Sequence, residues 1–139
     1  MEVLVDTCGW IEWLTDGMLA DRFEPFLADL QSLIVPTCLQ FELYKWVKRE
    51  RNETLALEII ALTNQTQVVP PTTALALEAA DLSLAHRLSF ADALIYATAL
   101  HCDVTLVTSD DHFAGLADVT YIPKRLPSEP YGVLTFNKE

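Results

Sequence analysis

Four acidic residues stand where predicted strands and helices meet loops, which is where a folded chain commonly collects its reactive groups. Asp6 closes an apolar run at the N-terminus, and Asp110 follows another apolar run late in the chain. Glu42 and Asp92 lie near the starts of predicted helices. Carboxylates that converge in a folded protein repel one another unless they share a cation. Oxygen donors without supporting His or Cys pairs favour Mg²⁺ or Mn²⁺ over Zn²⁺.

Each of these acids also has an ordinary structural explanation. Asp6 and Asp110 can cap the turns that follow them, and Asp92 occupies the third position of a capping-box pattern. Glu42 can pair with Lys45, three residues further along the same helix. Taken singly, Asp92 and Asp110 are explained more simply as caps. Only the four acids together favour a site.

Short apolar runs alternate with segments of helical periodicity, which is typical of α/β folds. The predicted strands cover the apolar run from residue 2 that Asp6 ends, and residues 32–36, 67–69, 104–108 and 119–122. The predicted helices cover residues 10–14, 19–33, 37–51, 54–63, 73–86 and 90–101, with at most a helical turn over 112–116. This alternation predicts a three-layer α/β/α sandwich around a central, mostly parallel sheet. Ligands of such folds bind beyond the carboxyl ends of the strands, which is the rim where all four acids fall.

Two predicted helices begin with a capping-box pattern, in which a Ser or Thr and a residue three positions later cap each other. Thr37 with Gln40 fits this pattern, and so does Ser89 with Asp92. Both helices are therefore expected to have capped N-termini.

The composition of the 139-residue chain, with 51% hydrophobic residues and only 4 Gly, is that of one packed domain. Its formal net charge of -11 disfavours non-specific attraction to a polyanion, although a cation bound among the acids would reverse the sign locally. The cysteines Cys8, Cys38 and Cys102 are widely spaced and indicate buried thiols in a reducing compartment. We find neither a signal peptide nor an apolar run of about 18 residues, and we expect a cytoplasmic protein.

The segments around the four acids resemble PIN domains, and among them the VapC toxins of bacterial toxin–antitoxin pairs. The similarity rests on Val5-Asp6-Thr7, on Glu42 in the helix after Val35-Pro36-Thr37, on residues 89–99 and on Leu106-Val107-Thr108-Ser109-Asp110. Its most specific block is residues 92–99, followed at the expected distance by Asp110. We therefore expect a PIN-like nuclease domain over residues 1–123. Residues 124–139 would form a tail of the same domain, either a packed strand or an extended segment.

The resemblance implies a Mg²⁺-dependent endoribonuclease, with Mn²⁺ as a possible cofactor. The catalytic acids of the family correspond to Asp6, Glu42, Asp92 and Asp110. Of these, Asp6, Asp92 and Asp110 are expected to bind the metal. The supporting positions correspond to Thr7 and Thr108, with Asp111 as an extra or substitute acid. Many relatives have Ser or Asn where this chain has Cys8, a departure that removes no acid.

The resemblance also implies a homodimer and a VapB-like antitoxin, which would insert a basic side chain near the acids. A basic cluster on the helix of Glu42 is the candidate RNA-binding surface: Lys45, Lys48, Arg49 and Arg51. An ordinary solvated face explains this cluster equally well. The histidines lie outside the acidic motifs and are not expected to act in catalysis: His86, His101 and His112.

Two other enzyme classes begin with a strand that ends in Asp. A haloacid-type phosphatase needs a second acid where this chain has Cys8. A receiver domain needs an early acidic pair and a lysine after a late strand, and Thr108-Ser109-Asp110 supplies neither. The alternative function is that of a catalytically inactive PIN-like domain that binds a protein partner.

Overall fold

A parallel sheet of short strands forms the centre of the computed structural model, which describes residues 1–124. The predicted tail, apart from Lys124, lies outside the described residues. The strands are β1 (Val3–Val5), β2 (Ile34–Pro36), β3 (Gln67–Val69), β4 (Thr105–Thr108) and β5 (Val119–Tyr121). β1 pairs with β4, β4 with β5, and β2 with β3, all in parallel. A parallel bridge between Val3 and Leu33 joins the two groups, which gives the order β3-β2-β1-β4-β5.

Helices connect the strands and cover the sheet. They are α1 (Thr7–Leu14), α2 (Ala20–Leu27), α3 (Thr37–Glu50), α4 (Glu53–Thr63), α5 (Thr73–His86) and α6 (Phe90–His101), with 3₁₀ turns at Leu30–Ser32 and Asp111–Phe113. α1 packs on α2, α3 on α4, and α5 on α6. The predicted three-layer α/β/α architecture is confirmed. Within residues 1–124, no helix combines the length and the apolar character that crossing a membrane requires.

The middle strands are apolar because helices shield them from water on both faces. Leu4 and Val5 of β1 and Leu106 of β4 are fully buried. α1 approaches this core closely at Gly9, where a Cβ atom would lie only 2.6 Å from side-chain atoms of Val5 and Phe23. A larger residue at position 9 would therefore push α1 away from the end of β1.

The predicted helix over residues 19–33 is wrong in length. α2 ends at Leu27, and a separate 3₁₀ turn begins at Leu30. Asp29 produces this break, because its side chain accepts hydrogen bonds from the backbone of Gln31 and from the hydroxyl of Ser32. The apolar periodicity of the segment continues through the break, so the pattern alone could not reveal it.

The predicted capping box at Thr37 is also wrong. β2 runs directly into α3, so Pro36 takes the N-cap position and makes no side-chain capping bond. Gln40 instead donates to Thr63 Oγ1 and Asn64 Oδ1, both at 3.0 Å, and ties α3 to the end of α4. A tertiary contact therefore replaces the local one that the sequence pattern predicted.

The strand order places a switch point beside β1. The chain leaves β1 for β2 on one side and later reaches β4 on the other. The backbone N–H of Asp6 still donates to the carbonyl of Val107 at 2.9 Å, just past the end of the paired strands. Open α/β sheets bind ligands at such a point, outside the carboxyl ends of the strands.

Candidate metal and active site

Asp6 is the most deeply placed acid at this edge of the sheet, with 4% of its surface exposed. Its Oδ1 accepts the backbone N–H of Thr7 at 2.8 Å, so the predicted capping role is confirmed. Its Oδ2 accepts the hydroxyl of Thr108, also at 2.8 Å. Two donors from neighbouring strand ends thus fix the orientation of this carboxylate.

Burial raises the pKa of Asp6 from its ordinary 3.8 to about 6. The hydrogen bonds from Thr108 and Thr7 oppose this rise, while the negative charges of Asp92 and Glu42 add to it. Each of these effects follows from placing a carboxylate in a poorly solvated site beside other carboxylates. A nearby positive charge would therefore stabilise the ionised form of Asp6.

Glu42 reaches the same place from α3. Its Oε1 accepts the hydroxyl of Thr7 at 2.8 Å, so Thr7 links Glu42 to Asp6 through its side chain and its backbone. The alternative explanation, an ion pair with Lys45, is not among the salt bridges within residues 1–124. Glu42 is positioned by a residue that follows β1, and not by its own helix.

Asp92 lies in the first turn of α6. Ser89 caps this helix as predicted and accepts the backbone N–H of Asp92 at 3.3 Å. The reciprocal bond of a capping box is not among the hydrogen bonds of the described residues, and the Asp92 carboxylate lines the pocket of Asp6. Burial raises the pKa of Asp92, and the nearby charges of Asp110 and Glu42 raise it further.

Asp110 caps the 3₁₀ turn that follows β4, as its capping explanation predicted. Its Oδ1 accepts two hydrogen bonds from His112, one from the backbone N–H at 2.9 Å and one from ring Nδ1 at 2.7 Å. Asp92, Asp110 and His112 each offer a potential metal-ligand atom, and these atoms lie within 4.8 Å of one another.

The four acids share one open cavity of about 370 Å³. Its other lining residues are Thr7, Cys8, Ile11, Phe41, Lys45, Trp46 and Arg49. The acids supply hard oxygen donors, which suit Mg²⁺ or Mn²⁺. Lys45 and Arg49 supply cationic groups on the α3 side of the cavity. The donor chemistry therefore fits a divalent cation together with an anionic ligand.

Four of the predicted residues do not line this cavity: Thr108, Asp111, Lys48 and Arg51. Thr108 is fully buried and reaches the site through its hydrogen bond to Asp6. Asp111 begins the 3₁₀ turn and is exposed, so its neighbour Asp110 is the acid that the fold turns inward. Lys48 lies over the ring of Tyr44 and pairs with Glu53 at 3.9 Å. The predicted stripe of Glu42, Lys45 and Arg49 does line the cavity.

Two titratable residues at the site were not predicted. Cys8 Sγ lies 3.8 Å from Asp6 Oδ2 and accepts the hydroxyl of Ser109 at 3.3 Å; burial raises the pKa of this thiol. His112 contacts Asp110 across a two-residue spacing that matches no metal-binding motif. The only signal in the sequence was local, since an Asp that caps a turn faces the residue two positions later.

Comparison with known proteins identifies a family and structures of similar fold. A family model described as PIN domain matches residues 3–119. A chain of a toxin–antitoxin complex from Klebsiella pneumoniae superposes with a TM-score of 0.73 at 20% identity, over 86% of this chain and 96% of that one. VapC20 of Mycobacterium tuberculosis, a Sarcin-Ricin loop cleaving toxin, gives a TM-score of 0.71 at 18% identity, over 88% and 100% of the two chains. No curated protein sequence matches significantly.

Proposed function

The chain belongs to the PIN domain family, and we propose that it is a metal-dependent endoribonuclease acting as the toxin of a VapBC-like pair. The observation that carries this proposal is the convergence of four carboxylates on one cavity: Asp6, Glu42, Asp92 and Asp110. The fold of the chain is similar to that of a Sarcin-Ricin loop cleaving toxin and to a chain of a toxin–antitoxin complex. This similarity supports RNA as the substrate and a toxin–antitoxin pair as the biological setting. The nuclease domain would be residues 1–123.

The proposed metal ligands are Asp6, Asp92 and Asp110, and the proposed cofactor is Mg²⁺ or Mn²⁺. The raised pKa of Asp6 supports this assignment, because a nearby cation would offset the cost of the buried charge. Bound in this cavity, the ion would activate water and stabilise the negative charge that develops on the phosphodiester.

The protein residues around the acids would orient the reaction. Thr7 and Thr108 hold the two oxygens of Asp6, and Thr7 also holds Oε1 of Glu42. Oε2 of Glu42 has no partner among the described hydrogen bonds, so it can take a proton from the attacking water as a general base. Asp111, which follows Asp110 in the chain, is exposed and would contribute only to the local negative charge.

RNA would enter along α3. Lys45 and Arg49 line the cavity and can bind phosphates beside the cleaved bond, which offsets the unfavourable net charge of the chain. Lys48 does not line the cavity and would contribute less.

The two proposed protein partners would bind at different places. A VapB-like antitoxin would place a basic side chain among the four carboxylates, where charge complementarity favours it. A homodimer would cover an apolar surface on α5 and α6, where Leu77, Leu84 and Phe90 are 65%, 84% and 81% exposed. Phe90 lines two cavities, of about 380 and 440 Å³, and Leu84 lines the second of them.

Incubation of the purified protein with total RNA and with tRNA tests the activity. We expect cleavage with Mg²⁺ or Mn²⁺, none with EDTA, and products that carry 5′-phosphate and 3′-hydroxyl ends. Absence of cleavage with any divalent metal, while the protein still binds a partner protein tightly, would instead favour the inactive PIN-like binding module.

A further inference from the structure

A single residue supplies both hydrogen bonds that reach one oxygen of Asp110. The backbone N–H of His112 and its ring Nδ1 both lie within 3 Å of Asp110 Oδ1, at 2.9 and 2.7 Å. An ionised carboxylate only accepts hydrogen bonds, so the imidazole must carry its hydrogen on Nδ1. Oδ2 of Asp110 has no partner among the hydrogen bonds of residues 1–124 and is the oxygen left for the cavity.

The backbone that presents His112 is well anchored. The 3₁₀ turn Asp111–Phe113 ends in Phe113, whose side chain is fully buried against the ring of Tyr96 at a centroid distance of 6.0 Å. The imidazole itself lies at the surface, with 67% of its side chain exposed, whereas Asp110 is 28% exposed. Replacing the ring should therefore alter the Asp110 carboxylate without disturbing the core.

We propose that His112 is a positioning residue that fixes the Asp110 carboxylate, so that Oδ2 faces Asp92 and the metal. This inference rests on the proposed metal-dependent function. Groups that hold a metal ligand in place commonly change metal affinity by 10- to 100-fold when they are removed. The imidazole acts here through its Nδ1–H and not as a ligand of its own.

Two conservative variants separate these roles. In His112→Asn the amide nitrogen is bonded to Cγ, as Nδ1 is in histidine, so the donor to Asp110 is kept. In His112→Gln the amide nitrogen is one bond further out and resembles Nε2. His112→Ala removes both nitrogens. His101→Ala is the matched control, because His101 is an exposed histidine at the end of α6 and is absent from the cavity lining.

The measurement is Mn²⁺ affinity of the intact protein without RNA, obtained by titration of the free-ion signal in electron paramagnetic resonance. We expect His112→Ala to weaken binding about 10-fold or more, with His112→Asn close to wild type and His101→Ala unchanged. Equal Mn²⁺ affinity in wild type and His112→Ala would overturn this inference and leave the proposed function standing. So would recovery by His112→Gln but not by His112→Asn, since Nε2 would then be the active atom. A wild-type protein that binds no Mn²⁺ would contradict the proposed function, and the inference would fall with it.

Discussion

Thr108 donates its hydroxyl hydrogen to Asp6 across 2.8 Å, although 102 positions of sequence separate the two residues. Thr108 is fully buried, and its oxygen also accepts the backbone N–H of Asp110 at 3.0 Å. One hydroxyl thereby links the acid that follows β1 to the acid that follows β4. The edge of the sheet is held together at the point where the proposed metal ligands meet.

Replacing Thr108 tests this link. Thr108→Val keeps the shape of the side chain but removes the donor to Asp6 and the acceptor for Asp110. We expect the free energy of unfolding to fall by about 1–3 kcal/mol, the usual cost of leaving buried polar groups unpaired. Urea unfolding of Thr108→Val and Thr108→Ser provides the measurement, because Ser retains the hydroxyl. Unchanged stability of Thr108→Val, with a loss in Thr108→Ser, would show that the methyl group, and not the hydroxyl, is what matters.

The raised pKa of Asp6 predicts how the stability of the metal-free protein depends on pH. Between 3.8 and about 6, the folded protein holds a proton on Asp6 that the unfolded chain has lost. Stability from this residue is therefore present at low pH, falls as the pH rises through about 6, and stays level above it. A shift of about 2 pH units corresponds to about 3 kcal/mol.

Asp6→Asn isolates this effect, because an amide does not titrate and can still accept from Thr7 and donate to Thr108. We expect the stability advantage of Asp6→Asn over wild type to grow by about 2 kcal/mol between about pH 4.5 and 7.5. Denaturant unfolding in EDTA at both pH values measures this difference. An advantage that does not change with pH would refute the burial argument.

The cationic residues on α3 should contribute unequally to RNA binding. In an inactive Asp6→Asn background, we expect Lys45→Ala and Arg49→Ala each to weaken binding and to reduce the salt slope by about 0.7, the value for one phosphate contact on a single strand. Lys48→Ala is the matched control, since Lys48 lies on the same helix but does not line the cavity. Fluorescence anisotropy at several salt concentrations gives the slopes. If Lys48→Ala lost more RNA affinity than Lys45→Ala and Arg49→Ala, the assignment of Lys45 and Arg49 as the phosphate-binding residues would be contradicted.

The apolar surface on α5 and α6 predicts a dimer that one charge can disrupt. We expect Leu84→Glu to be monomeric in sedimentation equilibrium while wild type is dimeric. Leu57→Glu on α4 is the matched control, because Leu57 is 52% exposed but is absent from the linings of the described cavities. Because both positions face solvent in the monomer, neither change should impair folding. A dimeric Leu84→Glu would exclude this surface as the interface.

Much of the fold was predictable because its inner strands β1, β2 and β4 are mostly buried apolar runs and all of its strands have clear ends. β3 lies at the predicted residues, and α6 begins after Ser89 as its capping pattern indicated. The errors at Asp29 and Thr37 arose where more than one hydrogen-bonding arrangement was open to a side chain. Sequence spacing cannot predict which hydrogen bond forms, because the partner that Gln40 takes lies on another helix.

The sequence predicted which acids meet at the candidate site better than it predicted which side chains contact them. Asp6 and Asp110 each follow an apolar strand, and ligands of open α/β folds bind at the carboxyl ends of strands, so the sequence predicts that these two acids share a site. The bonds from Thr7 to Glu42 and from His112 to Asp110 depend on side-chain orientation. Cys8 lies beside Thr108 only because β1 and β4 are neighbours in the sheet.

The most direct test of the account is RNA cleavage by single variants of the four acids, assayed together with Mg²⁺ or Mn²⁺. The variants are Asp6→Asn, Glu42→Gln, Asp92→Asn and Asp110→Asn, with Asp81→Asn on the exposed side of α5 as the matched control. We predict that each of the four loses cleavage while remaining folded by circular dichroism, and that Asp81→Asn cleaves as wild type does. Wild-type cleavage by Asp6→Asn or Asp92→Asn would contradict the account.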